Sequence, residues 1–502
     1  MASVDLSEYL LQHVDKAAPE PLNRQLYYRL REAILRRVLD GSARLPSSRE
    51  LAAALSVSRN TVLYAYEQLY AEGFIETRTG AGTYVAQTMP DACADPERPL
   101  PRTPAPAPQL SARGQRLVAH ARAAKQQWGS FTPGVPDLEQ FPFASWHAIL
   151  SRVWRRPQPA MLTYAPGGGY GPLRRAVAEH LALARSVNCD PDQVVITSGI
   201  HQSIDLSLRL LGDPLDLAWI EDPCYWGIRN LLVASGLEIE PVPVDDEGIC
   251  LQRVTGGRVP KFVFVTPSHQ YPLGPVMSLA RRRALLDYAS RNNCWVVEDD
   301  YDSEFRYEGR PLASLQGLDG HGRVIYTGTF SKTMFPGLRL GYLVLPKALV
   351  APFVTGMEEL HRSGQLPLQV AVAEFMELGH FRRHVRNMRS VYAARLRLLQ
   401  AAIARRFGAG SVHAAGDGAG LHITLLLPAH TDDVALAQEA QAAGLWVRAL
   451  SPYYHCTAAA RPGLVLGYAS VSDRQIASAF DRLADIIAAH LPAPAAIPAG
   501  AG

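Results

Sequence analysis

Seven prolines fall between Pro90 and Pro108, among Ala, Arg and Thr and without apolar periodicity, and this run constrains the 502-residue chain more than any other feature. Proline fixes its own φ, donates no backbone hydrogen bond and restricts the residue before it, so such a stretch stays extended and semi-rigid. One continuous fold is excluded. The chain reads as a small domain at 1–86, a Pro-rich linker at 87–125, a large domain at 126–490 and an Ala/Pro/Gly tail at 491–502. Size alone favours more than one core.

With 48% hydrophobic and 19% charged residues, the composition is that of a globular protein. Apolar runs such as Leu343 to Leu345 end far short of the about 20 residues that span a bilayer, so no membrane contact is expected. The N-terminus lacks a leader-like apolar stretch, which makes the cytoplasm the expected location. Six cysteines without a C-x-x-C pair argue against a zinc site and a disulfide framework, and no metal is expected. The net charge is only +3, yet residues 21–60 hold eight arginines against Glu32, Asp40 and Glu50. That local excess suggests a polyanionic partner.

Leu22, Leu26, Leu30, Ile34 and Val38 recur every fourth residue, a helical stripe running to Val38. In Leu45-Pro46-Ser47-Ser48-Arg49-Glu50-Leu51-Ala52 a serine precedes a glutamate as in a capping signal, opening a helix that ends near Leu55. Ser58 then caps a helix from Arg59 to Glu72, and Gly73 to Val85 reads as a hairpin with a glycine tip. Two short helices around a tight turn, followed by a wing, form a winged helix-turn-helix. These segments resemble the GntR-type DNA-binding domain over residues 22–85. The resemblance implies that Arg49, Arg59, Asn60 and Thr61 touch operator DNA.

From Val194 onward, short β-branched runs alternate with helical stretches, which argues an α/β domain with a mainly parallel sheet. Ligands bind beyond the carboxyl ends of such strands, and the unusual residues cluster there. Gly199 and Ile200 open a helix suited to a phosphate. Tyr225 follows another strand, where a ring either packs in the core or stacks on a flat ligand. Glu298 to Glu304 gathers five carboxylates in seven residues, which requires solvent or a cation facing some of them. Ser331-Lys332 precedes a Pro-Gly turn and Arg339, so a desolvated lysine nucleophile lies near a guanidinium.

An amine for an imine, an acid for a ring nitrogen, a stacking ring and a phosphate cradle are what pyridoxal 5'-phosphate requires. Tyr164 to Arg174, Thr266 to Gly274 and the Ser331-Lys332 stretch look like those of fold-type I aminotransferases, over residues 130–488. The resemblance implies that Lys332 carries the cofactor, Asp299 meets its ring nitrogen, Tyr301 approaches its phenolic oxygen and Tyr225 stacks. It likewise places Gly199, Ile200, Ser331 and Arg339 around the phosphate. Two departures matter. Tyr271 stands where an Asn usually touches the phenolic oxygen, leaving His269 or Gln270 to substitute. Val465 stands where a late strand usually carries the arginine for a substrate carboxylate, so Arg448 is expected to supply it in preference to Arg461.

A GntR-type reader joined to an aminotransferase-like domain is similar to the MocR family of bacterial transcriptional regulators. That resemblance implies a cytoplasmic homodimer, with Tyr164 or Tyr170 completing a site across the subunit boundary. Its effector would be pyridoxal phosphate or its imine with an amino compound. GABA-sensing members carry an Arg two residues after the stacking tyrosine, where Gly227 stands here, which speaks against that effector. The rival reading is a working aminotransferase with an accessory DNA-binding domain, and a scaffold with a degenerate cofactor site is a third.

Overall fold

In the computed structural model the Ser47 hydroxyl accepts from the Glu50 amide at 3.2 Å while the Glu50 carboxylate accepts from the Ser47 amide at 2.8 Å. This reciprocal cap starts a helix where the sequence implied one. The structure describes residues 6–78, 80–87, 109–119, 128–164, 167–254, 256–307, 312–362, 364–408, 412–415 and 418–491. The chain separates into two units, 1–109 and 110–502.

The first unit contains α1 (Leu6–His13), α2 (Leu22–Leu35), α3 (Ser48–Leu55) and α4 (Arg59–Ala71) with β1 (Arg44–Leu45), β2 (Ile75–Arg78) and β3 (Gly82–Val85). The strands pair antiparallel in the order β1-β3-β2, which makes the wing. Leu26, Leu30 and Ile34 of α2 pack with Leu51, Leu55, Val62 and Leu69 in one core. Two features depart from the sequence reading. Helix α2 ends at Leu35, because Arg37 takes a left-handed φ of 55° and leaves Val38 exposed. Helix α1 has no long periodic stripe to announce it, yet Leu6 and Leu10 are buried in the same core.

The second unit begins before the boundary that composition suggested. A short helix, α5 (Ala112–Ala119), lies within the stretch read as linker, and the linker's prolines fall outside the described residues. All but Leu491 of the expected tail also lies outside them. Eight strands form the main sheet: β4 (Val194–Thr197), β5 (Leu217–Asp222), β6 (Glu238–Asp245), β7 (Gly248–Ile249), β8 (Phe262–Val265), β9 (Trp295–Asp300), β10 (Val324–Thr329) and β11 (Gly341–Val344). Their order is β4-β11-β10-β9-β8-β5-β6-β7. Strands β10, β9, β8, β5 and β6 run parallel, while β11 is antiparallel to both β10 and β4. The sheet is thus mainly parallel, and β4, β5, β8, β9 and β10 end on one edge. Val195, Val263, Val296 and Ile325 are fully buried, as strands covered by helices on both faces require.

A second sheet follows from β12 (His413–Ala415), β13 (His422–Leu426), β14 (Arg448–Ala449) and β15 (Gly463–Gly467), all antiparallel in the order β12-β13-β15-β14. Helices His380–Phe407 and Asp473–His490 bury Leu399, Ile403, Phe480 and Leu483 in the core that includes Leu464 and Leu466. No helix among the described residues is long and apolar enough to cross a membrane.

Candidate functional site

The Ser58 hydroxyl accepts from the Thr61 amide at 3.1 Å and meets the Thr61 hydroxyl at 2.8 Å. This cap holds Arg59 and Asn60, both exposed, on the first turn of α4 and engages the Thr61 side chain. Arg59 Nε donates to Ser48 Oγ at 3.3 Å, so α3 steadies the base of its side chain. The ion pairs of this unit are Arg29–Glu32, Arg31–Glu72, Arg36–Glu32 and Arg78–Glu76. Among the described residues Arg49 and Arg59 belong to none, so both exposed side chains lack an internal counter-ion.

In the second unit the shared strand edge gathers the expected groups. Lys332 lies past the end of β10, and its Nζ donates to the Gly134 carbonyl at 2.7 Å. Burial pushes this amine down to about 8, with Asp302 and Asp299 opposing and the Arg448 charge assisting. Gly134 has a φ of 73°, and a Cβ there would stand 2.8 Å from Nζ, so the lysine's resting place needs glycine. Asp299, buried near the end of β9, is pushed up to about 7 by burial and by the like charge of Asp300, with Lys332 pulling the other way. An amine and a carboxyl, each shifted toward its neutral form, therefore share one cleft.

The neighbouring acids are consumed internally, which resolves the crowding of five carboxylates. Glu298 accepts from the amides of Leu315 and Gln316, both at 3.0 Å. Asp300 accepts from Arg185 at 2.7 Å and from the Tyr326 hydroxyl at 2.6 Å, and Arg185 also holds Ser268. Asp302 meets His269 Nδ1 at 3.1 Å, and Glu304 lies 3.6 Å from His180. Successive strand residues face opposite ways, so Asp299 faces the cleft while Asp300 is turned into the ion pair.

Gly199 has a φ of 102° and caps helix Ile200–Leu211, and a Cβ built on it would meet the Arg339 guanidinium at 3.6–3.8 Å. The helix start and Arg339 thus form one cradle, with the Ser331 amide held by Thr329 Oγ1 at 3.1 Å. Tyr225 caps helix Trp226–Ser235, and its hydroxyl lies 3.1 Å from His201 Nε2. His201, whose Nε2 meets that hydroxyl, escapes the sequence reading although it directly follows Ile200 in the helix start beside Arg339. Gly134 escapes it because nothing in its local sequence points to a lysine 198 positions away.

Gln270 is not free to substitute for the absent Asn, since its amide donates to the Pro223 carbonyl at 2.8 Å. His269 lies behind Tyr301, whose hydroxyl stands 3.0 Å from both Nδ1 and the carbonyl of His269. Tyr271 turns its hydroxyl to Tyr453 at 3.1 Å. Arg448 on β14 pairs in register with Val465 on β15, so it is the cross-strand neighbour of the position where an arginine was expected. Its guanidinium bonds to Tyr453 and borders a groove of about 350 Å³ lined by Trp226, Ala437 and Pro452. Arg461 is exposed. Tyr164 is 71% exposed, and its ring neighbour is Arg362 at 5.4 Å, outside the Lys332 group. His269, Asp302 and His422 bring potential ligand atoms within 4.8 Å of one another, but Nδ1 of His269 is already held by Asp302 and Tyr301.

Residues 136–483 match the family "Aminotransferase class I and II", and residues 22–85 match "Bacterial regulatory proteins, gntR family". The chain is 38% identical to "Probable rhizopine catabolism regulatory protein MocR" of Rhizobium meliloti, over 94% of each chain. It is 30% identical to "HTH-type pyridoxine biosynthesis transcriptional regulator PdxR" of Corynebacterium glutamicum, over 90% of this chain and 93% of that one. Among solved structures, the α-aminoadipate aminotransferase LysN of Thermus thermophilus, complexed with N-(5'-phosphopyridoxyl)-L-leucine, superposes with a TM-score of 0.66. The two share 26% identity, over 76% of this chain and 95% of that one.

Proposed function

The chain belongs to the MocR-type GntR regulators, which carry an aminotransferase class I and II domain, and from that premise we propose that it binds operator DNA and senses an amino compound through pyridoxal phosphate. The observation that carries the cofactor reading is Asp299, a buried carboxyl in the cleft whose charged neighbours are three further acids, Asp300, Asp302 and Glu221, against the single amine of Lys332. A protonated ring nitrogen supplies the counter-charge that this position lacks. The cradle of Gly199, Ile200 and Arg339 suits a phosphate, and the ring of Tyr225 suits stacking, so the residues fit the group.

When bound, pyridoxal phosphate supplies a carbonyl that condenses with primary amines. Lys332 would hold it covalently, helped by an amine already pushed toward its neutral form. Asp299 would keep the ring nitrogen protonated, and Tyr301 would stand beside the phenolic oxygen. Arg448 is half-buried among tyrosines, and among the described residues it has no carboxylate partner. A guanidinium in that state at the border of a groove favours an anionic ligand, so the effector is an amino compound that also bears a carboxylate. Its binding acts on DNA only through a difference in affinity between two arrangements of the protein.

A homodimer completes the reading. Tyr164 and Arg339 are both exposed in the single chain, consistent with a cleft closed by a second copy. Borohydride reduction followed by mass spectrometry tests the cofactor assignment: a phosphopyridoxyl group on Lys332, lost in Lys332→Ala, is the expected result. A group on another lysine, or none, refutes it. Binding of purified protein to its operator should change when amino compounds bearing a carboxylate are added.

A further inference from the structure

His269 Nδ1 lies 3.1 Å from Asp302 Oδ2 and 3.0 Å from Tyr301 Oη. All three residues sit at the carboxyl edge of the sheet, and His269 and Asp302 are almost fully buried, at 4% and 2% exposure. Burial pushes the Asp302 carboxyl up while its contact with His269 pulls it down; with Asp302 ionised, it only accepts, and the proton between it and His269 belongs to Nδ1. The Tyr301 oxygen then shares that proton as a second acceptor. Its own proton is left to point away from Nδ1, toward the His269 carbonyl at 3.0 Å or toward a ligand oxygen placed in the cleft. Gly420 packs directly against the pair, since a Cβ there would fall 2.3 Å from Asp302 Oδ2 and 2.4 Å from Nδ1.

We propose that Asp302 and His269 are positioning residues that act through Tyr301, fixing its hydroxyl as a donor to the cofactor's phenolic oxygen in place of the Asn that Tyr271 replaces. This rests on the cofactor reading above. The chain of donors is Nδ1–H to Tyr301 Oη, then Tyr301 O–H to the phenolic oxygen. A phenol that accepts one hydrogen bond donates a stronger one. A donor on the phenolic oxygen stabilises its anionic form, so the nitrogen joined to the cofactor at Lys332 gains its proton only at lower pH.

Other charged or titratable groups also face this trio: Asp299, Asp300, Glu221, Glu304, Tyr271, Tyr307, Tyr468, His422 and Lys332, with Arg185 and Arg306 bordering the His269–Asp302 pair. A purely through-space role for Asp302 is separable by sign. Removing its negative charge makes a nearby cation less favourable and lowers the pH midpoint of the visible band, whereas weakening Tyr301 as a donor raises it.

The test is a spectrophotometric pH titration of the cofactor-loaded full chain. Asp302→Asn and His269→Ala should each raise the midpoint by about 0.5–1 pH unit, the size of one net hydrogen bond. His269→Asn, whose amide can still donate near the place of Nδ1, should restore most of it. In a Tyr301→Phe background neither change should move the midpoint by more than about 0.3 unit, because the link is already cut. A fall in midpoint, no movement, or a full shift persisting without the Tyr301 hydroxyl overturns the proposal. If Asp302→Asn does not fold, the two His269 variants decide between the same outcomes. A wild-type chain with no visible band at any pH fails the cofactor reading itself and takes this inference with it.

Discussion

Replacing Asp299 by Asn should make the cofactor-free protein more stable while weakening its hold on pyridoxal phosphate. In the cofactor-free chain burial raises this carboxyl from its ordinary 3.8 to about 7, so the native state resists its ionisation. The unfolded chain ionises it freely, and the cost to folding is absent below about pH 4, grows between about 4 and 7 and is complete above that. At about 1.4 kcal/mol per unit, the cost above pH 7 is roughly 4 kcal/mol, which Asp299→Asn removes while keeping the shape of the side chain. Asp300→Asn makes the contrast. It breaks the buried pair with Arg185 and leaves that guanidinium uncompensated, which costs about 3–5 kcal/mol. The assay is urea unfolding of the cofactor-free chain at pH 5 and pH 8, reading the transition of the large unit, alongside cofactor retention after dialysis. Asp299→Asn should gain stability at pH 8, gain less at pH 5 and lose cofactor. A variant less stable than wild type at pH 8, or a larger retention defect from Asp300→Asn through a cause other than unfolding, would refute the assignment of Asp299 to the cleft.

Arg59→Ala should cost about 1–3 kcal/mol of operator binding and relax one position of the site, whereas Arg49→Ala should weaken all sequences alike and lower the salt slope by about 1, both read by titrations at several salt concentrations. Arg448→Met should leave cofactor retention unchanged and reduce the response to carboxylate-bearing amino compounds at least tenfold, the loss of about one charge-assisted hydrogen bond, in a DNA-binding assay with added effector. Sedimentation of the cofactor-loaded chain at micromolar concentration should give twice the chain mass, and footprinting should show two related half-sites; a single-chain mass or one isolated half-site would count against the homodimer.

The parts that were legible in the sequence are those whose chemistry is local. Ser47 and Glu50 are three residues apart, Ser58 and Thr61 likewise, and both caps stand where the sequence placed them. The strand-end residues were legible for the same reason, since Gly199, Tyr225 and Lys332 stand two or three residues past β4, β5 and β10 and Asp299 lies near the end of β9, so each apolar run and its edge are written together. What escaped the sequence is pairing over distance. Arg185 neutralises Asp300 from 115 positions away, and Gly134 receives Lys332 from 198. Neither partner carries a local mark of its role, because an arginine at the end of a helix and a glycine in a loop are ordinary in themselves.

The proposal of Arg448 shows how a substitute for a missing motif residue is sought in topology. Val465 alone reads as a lost anchor, and the sequence could only name Arg448 and Arg461 as candidates. The antiparallel register of β14 against β15 supports the proposal of Arg448, since residues opposite one another on one face have Cβ atoms about 5 Å apart. A guanidinium moved to the neighbouring strand therefore reaches much the same space from the other side, while Arg461 precedes β15 and remains exposed. The same logic explains why Tyr271 in the Asn position need not abolish the polar contact there. Tyr301 is already held by His269 and Asp302, so the donor that the cleft requires can come from the next strand, with Tyr271 free to turn toward Tyr453 and Arg448.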